Sequence, residues 1–240
     1  MNIYTKAIIR LYYYIILLSW FMARIKRIVL PHIPHHITQR GVRSMNIFFK
    51  EADYSYYKEL LYEQCEINDL KIVSYCLMTN HIHLIAIPST EESLSRAIGE
   101  THRLYTRKIN FEQKTKGHLF QERFYSTPLD EYHFLNALKY VEQNPVKPNM
   151  VKYPWEYRYS SAGYRVNLIK EDKLLSNYES IDDIEDYKSF LQEVTEEKQI
   201  IEKTRTGKPC GDEKFYEKIL LTTGVDYKSK KPGPKQKMNN

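Results

Sequence analysis

The sequence predicts an α+β fold: a ferredoxin-like (split βαβ) antiparallel sheet with helices on one face, followed by a mostly helical C-terminal extension. Three observations predict it. Strand-type and helix-type periodicities follow one another as β-α-β-β-α-β-α between residues 32 and 144. Two β-rich runs, 71–78 and 81–88, are separated only by Thr79-Asn80, which marks a hairpin. The last helical stretch stops at Pro145, which cannot continue a helix.

The elements follow in order. Residues 32–39 alternate and run into Gln39-Arg40-Gly41, a strand entering a loop. Residues 53–68 carry Tyr57, Leu60, Leu61 and Cys65 at helical spacing, with Asp53 as the expected N-cap. The hairpin strands 71–78 (KIVSYCLM) and 81–88 (HIHLIAIP) come next. Residues 89–110 align Leu94, Ala97, Ile98, Leu104 and Tyr105 on one helical face. Residues 119–128 (LFQERFYSTP) read as a fourth strand and 130–144 as a helix. Such a sheet leaves its second face to a ligand. Beyond it, 146–168 is rich in Pro and Tyr and is expected to wrap the domain. Residues 171–197 read as an acidic helical stretch, and 198–225 as a Gly-Lys-Pro-Cys-Gly turn with an amphipathic run through Phe215, Ile219 and Leu220. The tail, 228–237, is basic, carries two prolines and is expected to be disordered.

The chain of 240 residues suits one core with a smaller appendage. Three divisions are expected: a mis-annotated leader over 1–21, a domain over 22–165, and a helical extension with a basic tail over 166–240. The apolar run 8–21 is broken by Arg10 and Ser19 and falls short of the roughly 20 residues of a membrane span. Met22 then opens a conventional segment, so translation is expected to start there; a signal-anchor or a docked helix are the alternatives. No membrane partner is expected. The net charge is +6, but 171–197 hold ten acidic residues against two lysines, a local −8, which leaves +14 elsewhere. That excess suits a polyanion, nucleic acid first, or a solubilising surface. Cys65, Cys76 and Cys210 form no paired pattern, which argues against a disulfide framework or a zinc knuckle and fits a reducing cytoplasm.

Two motifs carry chemistry. In His81-Ile82-His83 the two imidazoles leave a strand on the same side and can chelate one divalent cation. By itself the pair names a metal site, not a reaction, and it also fits a half-exposed strand. In the helix 130–144, the stripe Phe134, Ala137, Leu138, Val141 faces the core, and Tyr140 falls roughly 110° from its centre at 100° per residue. His133, Asn136, Tyr140 and Asn144 form a polar flank; a surface tyrosine with an Asn C-cap is the plain alternative. A phenol is a poor nucleophile at neutral pH and becomes useful where a metal polarises the phosphate it attacks. Two imidazoles, an amide oxygen, phosphate oxygens and water suit Mg²⁺ or Mn²⁺.

The HxH strand followed some sixty residues later by Tyr140-Val141-Glu142-Gln143-Asn144-Pro145-Val146 resembles the single-tyrosine HUH transposases, and within them the REP-associated tyrosine transposases. Further matches are Met22-Ala23-Arg24, Ile37-Thr38-Gln39-Arg40-Gly41, Met78 to Leu84, Gln121-Glu122-Arg123-Phe124 and Trp155 to Ser161. The resemblance implies a nuclease and strand transferase acting on single-stranded or hairpin DNA through a 5′-phosphotyrosine intermediate, with a free 3′-hydroxyl. It implies metal ligation by His81 and His83, attack by Tyr140, and a third ligand at Asn144. It implies duplex or hairpin contacts for the extension around 203–209, although Pro234 stands where the branch has Arg after Gly233. Relatives are often homodimers that exchange the tyrosine helix; a homodimer and, given the extension, a monomer both stay open.

Expected DNA contacts are Arg40 and Arg43 after the first strand, Arg96, Arg103, Arg107 and Lys108 on the second helix, and Arg123 on the fourth strand. Tyr125 and Tyr132 lie near Tyr140 in sequence without its Asn-Pro context. Two other classes stay open: a non-mobile DNA-binding regulator on the same fold, and a metallohydrolase. The second needs further ligands, for which His102 and His118 are the spare histidines near the core.

Overall fold

A computed structural model describes residues 27–228. The leader 1–21, Met22-Ala23-Arg24 and the tail from residue 229 on lie outside the described residues. Four strands, β1 (His35–Arg40), β2 (Leu70–Met78), β3 (His81–Pro88) and β4 (Tyr125–Pro128), form one antiparallel sheet in the order β2-β3-β1-β4. Helix α1 (Glu51–Ile67) links β1 to β2, and α2 (Ser93–Glu112) links β3 to β4. This is the expected split βαβ arrangement.

Strand alternation divides the residues between two cores. Ile37, Ile82, Leu84 and Ala86 face α1 and α2 with Tyr57, Leu61, Ile98 and Tyr105. The opposite face presents Cys76, Met78, Ile85 and Ile87 to α3 (Glu131–Glu142), whose stripe Phe134, Ala137, Leu138, Val141 is fully buried as the spacing requires. The two helices of the split unit thus share a face, while the additional helix takes part of the other. The ligand face is therefore a strip beside α3 and not a whole sheet surface.

Three local boundaries differ from expectation for identifiable reasons. Asp53 is not the cap of α1: it sits one turn in, where its carboxylate accepts from the Phe49 and Lys50 amides. The fourth strand is only four residues long. Ahead of it Phe120 makes a single bridge to Gly41, Glu122 turns the chain at φ 55°, and the Gln39 amide donates to the carbonyls of Gln121 and Glu122 in place of a ladder. The acidic segment forms two single turns, α5 (Glu179–Asp182) and α6 (Tyr187–Phe190), after the short α4 (Ala162–Arg165). Its carboxylates strap α3: Glu193 pairs with Lys139 at 2.9 Å, and Glu197 pairs with Lys147.

The segments after residue 154 also guard the sheet edges, which otherwise expose unpaired amides. Tyr159 and Ser160 run along β2, and Cys210 runs along β4. Between them α7 (Glu197–Thr206) lies over α3, β1 and β4, and α8 (Glu213–Thr223) packs Phe215 and Ile219 on Ile28 and Leu30. Among the described residues, no helix is long and apolar enough to cross a membrane.

One hub ties α3 to this extension. Asp130 caps α3 by accepting from the His133 amide at 2.8 Å, accepts from the Asp212 amide at 2.8 Å, and lies 2.6 Å from Nδ1 of His133. The Asp130 carboxylate, with the Cys210 sulfur beside it, holds His133 protonated far above the usual range, up to about 11. A folded pKa above the unfolded one stabilises fully below about 6.5, and that contribution is lost as pH rises through about 11. The melting temperature of the wild type is therefore expected to fall across this window more steeply than that of His133→Gln. Parallel pH profiles for the two proteins would disprove the linkage.

Candidate metal and tyrosine site

The two central strands place the imidazoles. In the β1–β3 register Thr38 opposes His83 and Arg40 opposes His81, so His36, Thr38, Arg40, His81 and His83 leave the sheet on the α3 side. The Asn80 side-chain oxygen lies 2.6 Å from Nδ1 of His81, so that nitrogen carries the proton and Nε2 keeps its lone pair. His36 stacks on His83 with ring centroids 5.3 Å apart and planes 5° from parallel. Nε2 of His36 lies 3.0 Å from Nδ1 of His83, and its Nδ1 lies 2.7 Å from the Thr204 hydroxyl.

Helix α3 brings the hydroxyl. The Tyr140 ring meets the edge of His83 at 5.3 Å and of His36 at 5.6 Å. Tyr140 is only 9% exposed, because α7 covers the polar flank on which it lies. The Asn144 side chain, on the same side of the chain, reaches toward both Tyr140 and His81 and acts on the two groups. The Lys147 ammonium lies 4.2 Å from the centroid of the Tyr140 ring. His36, His81, His83, Tyr140 and Asn144 line a cavity of about 470 Å³, closed on one side by Ile201, Thr204 and Arg205 of α7.

Burial, then the Arg40 charge, lowers the pKa of His81 to about 4; burial, then the neighbouring His36 and His81, holds His83 well below its usual value. Both rings are neutral at pH 7, the state that can ligate a metal. Burial raises the Tyr140 hydroxyl against the opposing pull of Asn144, so it is a protonated phenol at neutral pH. Among the described residues no three His, Cys, Asp or Glu side chains converge on a metal position. His81, His83 and Asn144 line the same cavity, and two imidazoles with a side-chain amide are a donor set of the kind a divalent ion accepts. The further ligands that a metallohydrolase needs are not supplied by His102. That ring bonds the Tyr57 hydroxyl at 3.0 Å and stacks on Phe120 in the other core.

The expected basic residues divide. Arg40 lines the cavity. Arg43 is exposed in the 3-10 turn Val42–Ser44, at φ 52°. Arg123 precedes β4 instead of lying on it, and with Arg27 and Arg103 it lines a separate hollow of about 460 Å³. Arg96, Arg103 and Arg107 are exposed on α2, on the far side of the sheet. Lys108 is engaged, with Glu112 at 2.7 Å and Asp53 at 3.4 Å. The helix residues therefore do not join the cavity. His36 does, although the sequence motifs did not single it out, and so do Thr204 and Arg205 of the segment 203–209, for which duplex or hairpin contacts are expected. The signal for His36 was the alternation that puts residues 36, 38 and 40 on one face; the motif at 203–209 marked Thr204 and Arg205 without placing them beside the histidines.

A family model described as IS200-like transposase matches residues 31–144. No curated protein matches the chain. Among solved structures, the chain is similar to a REP-associated tyrosine transposase bound to a REP hairpin, at 15% identity and a TM-score of 0.53, over 68% of this chain and 95% of that one. At that identity the likeness speaks for the fold. A transposase candidate from Deinococcus radiodurans R1 aligns over 50% of this chain and 96% of its own, at 15% identity and a TM-score of 0.36.

Proposed function

We propose, from the premise that residues 31–144 belong to the IS200-like transposase family, that the chain is a metal-dependent DNA nickase and strand transferase with Tyr140 as its nucleophile. The observation that carries this reading is the meeting of Tyr140, Asn144, His81 and His83 in one cavity. His81 and His83 would hold the ion through Nε2, with Asn144 as third ligand. Bound there, a divalent ion would neutralise charge on the phosphate under attack.

The chain's own residues do the rest. Asn80 and His36 fix the ligand rings. Asn144 orients the phenol beside them. Arg40, at the cavity mouth, offers a guanidinium to a neighbouring phosphate. The Tyr140 oxygen forms a bond to phosphorus as the bond from phosphorus to the 3′ oxygen breaks. The phenol loses one proton and the departing 3′ oxygen gains one, leaving a 5′-phosphotyrosine and a free 3′-hydroxyl. The linkage conserves the phosphodiester energy, so another 3′-hydroxyl can reverse the step. Single-stranded or hairpin DNA is the proposed substrate, in keeping with the hairpin bound to the REP-associated relative.

The test is incubation with Mn²⁺ or Mg²⁺ and labelled single-stranded hairpin DNA, followed by denaturing electrophoresis. A labelled band at the mass of the protein is expected with metal and not with EDTA. Cleavage with no protein-linked product would reject the tyrosine mechanism.

A further inference from the structure

We infer that the hollow between α2 and residues 119–124, on the far side of the sheet from the tyrosine cavity, is a second seat for the DNA strand: Arg27 and Arg123 hold one phosphate there, and an apolar wall takes the adjoining base. This rests on the reading of DNA as the substrate given above.

The charge in the hollow calls for an anion. Arg27 is half-buried; its guanidinium lies 3.6 Å from the centroid of the Phe124 ring and donates to the Phe124 carbonyl at 2.9 Å. A guanidinium has five N–H donors, so others are left for a ligand. Burial, then the charge of Arg123, lowers the Arg27 guanidinium to about 10, which leaves it charged at neutral pH. Among the described residues neither Arg27 nor Arg123 pairs with a carboxylate, whereas Arg103 on the same wall pairs with Glu100. Glu122 also borders the hollow, but it is exposed and pairs with neither. Two neighbouring guanidiniums with no counter-charge suit a phosphodiester.

The shape suits a base beside that phosphate. Gly99 is the single glycine of α2, and it borders the hollow. Glycine inside a helix is unfavourable relative to alanine, and packing does not explain this one: an added Cβ would meet nothing within 4 Å. Bare backbone and open space let a flat ring approach the helix, and Leu119, Phe120 and Phe124 supply apolar surface next to it. The hollow is also continuous with the proposed site of cleavage. Gln121 and Tyr125 border the tyrosine cavity, while residues 122–124 between them border the hollow. This stretch is a wall common to the two, and β4 is an edge strand of the sheet. A strand held at Tyr140 can cross that edge over Tyr125, which is 42% exposed.

The test is fluorescence anisotropy of a labelled oligothymidine of about 20 nucleotides, long enough to reach both places, titrated with the full chain. Arg123→Ala and Gly99→Leu both change exposed positions, and the second fills the hollow without altering charge. Each is expected to bind about 5–20-fold more weakly than the wild type. In Arg123→Ala the slope of log affinity against log salt is expected to become shallower by about 0.7, the value of one phosphate on a single strand. Lys71→Ala removes an exposed charge on β2, the opposite edge strand, and is expected to bind like the wild type. Wild-type affinity in both Arg123→Ala and Gly99→Leu overturns the proposal, and the adduct assay would stand apart from that failure. An equal loss in Lys71→Ala also overturns it, since net charge would then be the cause. A wild type that binds the strand, is weakened by the two hollow variants and forms no adduct with metal would instead reject the nuclease reading and leave the second seat standing.

Discussion

Tyr140→Phe is expected to eliminate the covalent protein–DNA adduct in the presence of Mn²⁺, while the protein stays folded and still binds the labelled strand. Removing a nucleophile costs on the order of 10³–10⁶ in rate, because the remaining groups can only bind and polarise. Losing one phenolic hydrogen bond costs about 1 kcal/mol of stability. The neighbouring tyrosines make the control. Tyr125 also borders the cavity but is 42% exposed on β4, and Tyr132 is 57% exposed and donates to Glu196. Neither lies beside an amide that also reaches toward His81, as Tyr140 does beside Asn144. Tyr125→Phe and Tyr132→Phe should therefore keep the adduct. An adduct that survives in Tyr140→Phe and disappears in Tyr125→Phe would transfer the role to β4.

The largest stability effect is expected at Glu142. This carboxylate is fully buried, and accepts from Ser74 at 3.1 Å, Ser161 at 2.5 Å and Tyr187 at 3.1 Å, with the Arg165 charge nearby. Burial raises its pKa against the pull of Ser161 and Arg165. Glu142→Ala leaves three hydroxyl groups without their shared acceptor and removes the carboxylate that faces the Arg165 charge. Removing one member of a buried charged network costs about 3–5 kcal/mol, or roughly 6–20 °C in Tm for a chain of this size. Thermal unfolding followed by circular dichroism would measure it. Glu142→Gln keeps the shape and one acceptor and should lose much less. Equal loss in the two variants would mean that packing volume, not acceptance, is what Glu142 supplies. Glu142 sits two residues beyond Tyr140, so the network also fixes the end of α3 that carries this proposed nucleophile.

The elements that could be read from the sequence are those whose partners lie close along the chain. The hairpin needed only Thr79-Asn80 between two β-rich runs, and His81 and His83 share a face because strand alternation is local. The stripe of α3 and its stop before Pro145 are local as well. What could not be read depends on long-range register. His36 reaches His83 only because β1 sits beside β3 in the sheet, which alternation alone does not specify. The fourth strand looked ten residues long because its apolar residues continue backwards into a segment that Glu122 turns away. The acidic stretch looked helical because carboxylates suit helices, yet Glu193 and Glu197 are spent on lysines of the tyrosine helix and its following loop. The basic residues of α2 lie on the face of the sheet away from the cavity, as helices gathered on one face require.

That α7 closes the cavity has a consequence for the timing of biosynthesis. The ribosome has made His81, His83, Tyr140 and Asn144 long before it makes Thr204 and Arg205, and the intervening 60 residues take about 3–12 s to translate. Until then the nascent chain holds an unfinished pocket whose tyrosine flank is uncovered. On the proposed reading, competence for strand cleavage would accordingly come only after residue 205 has been made.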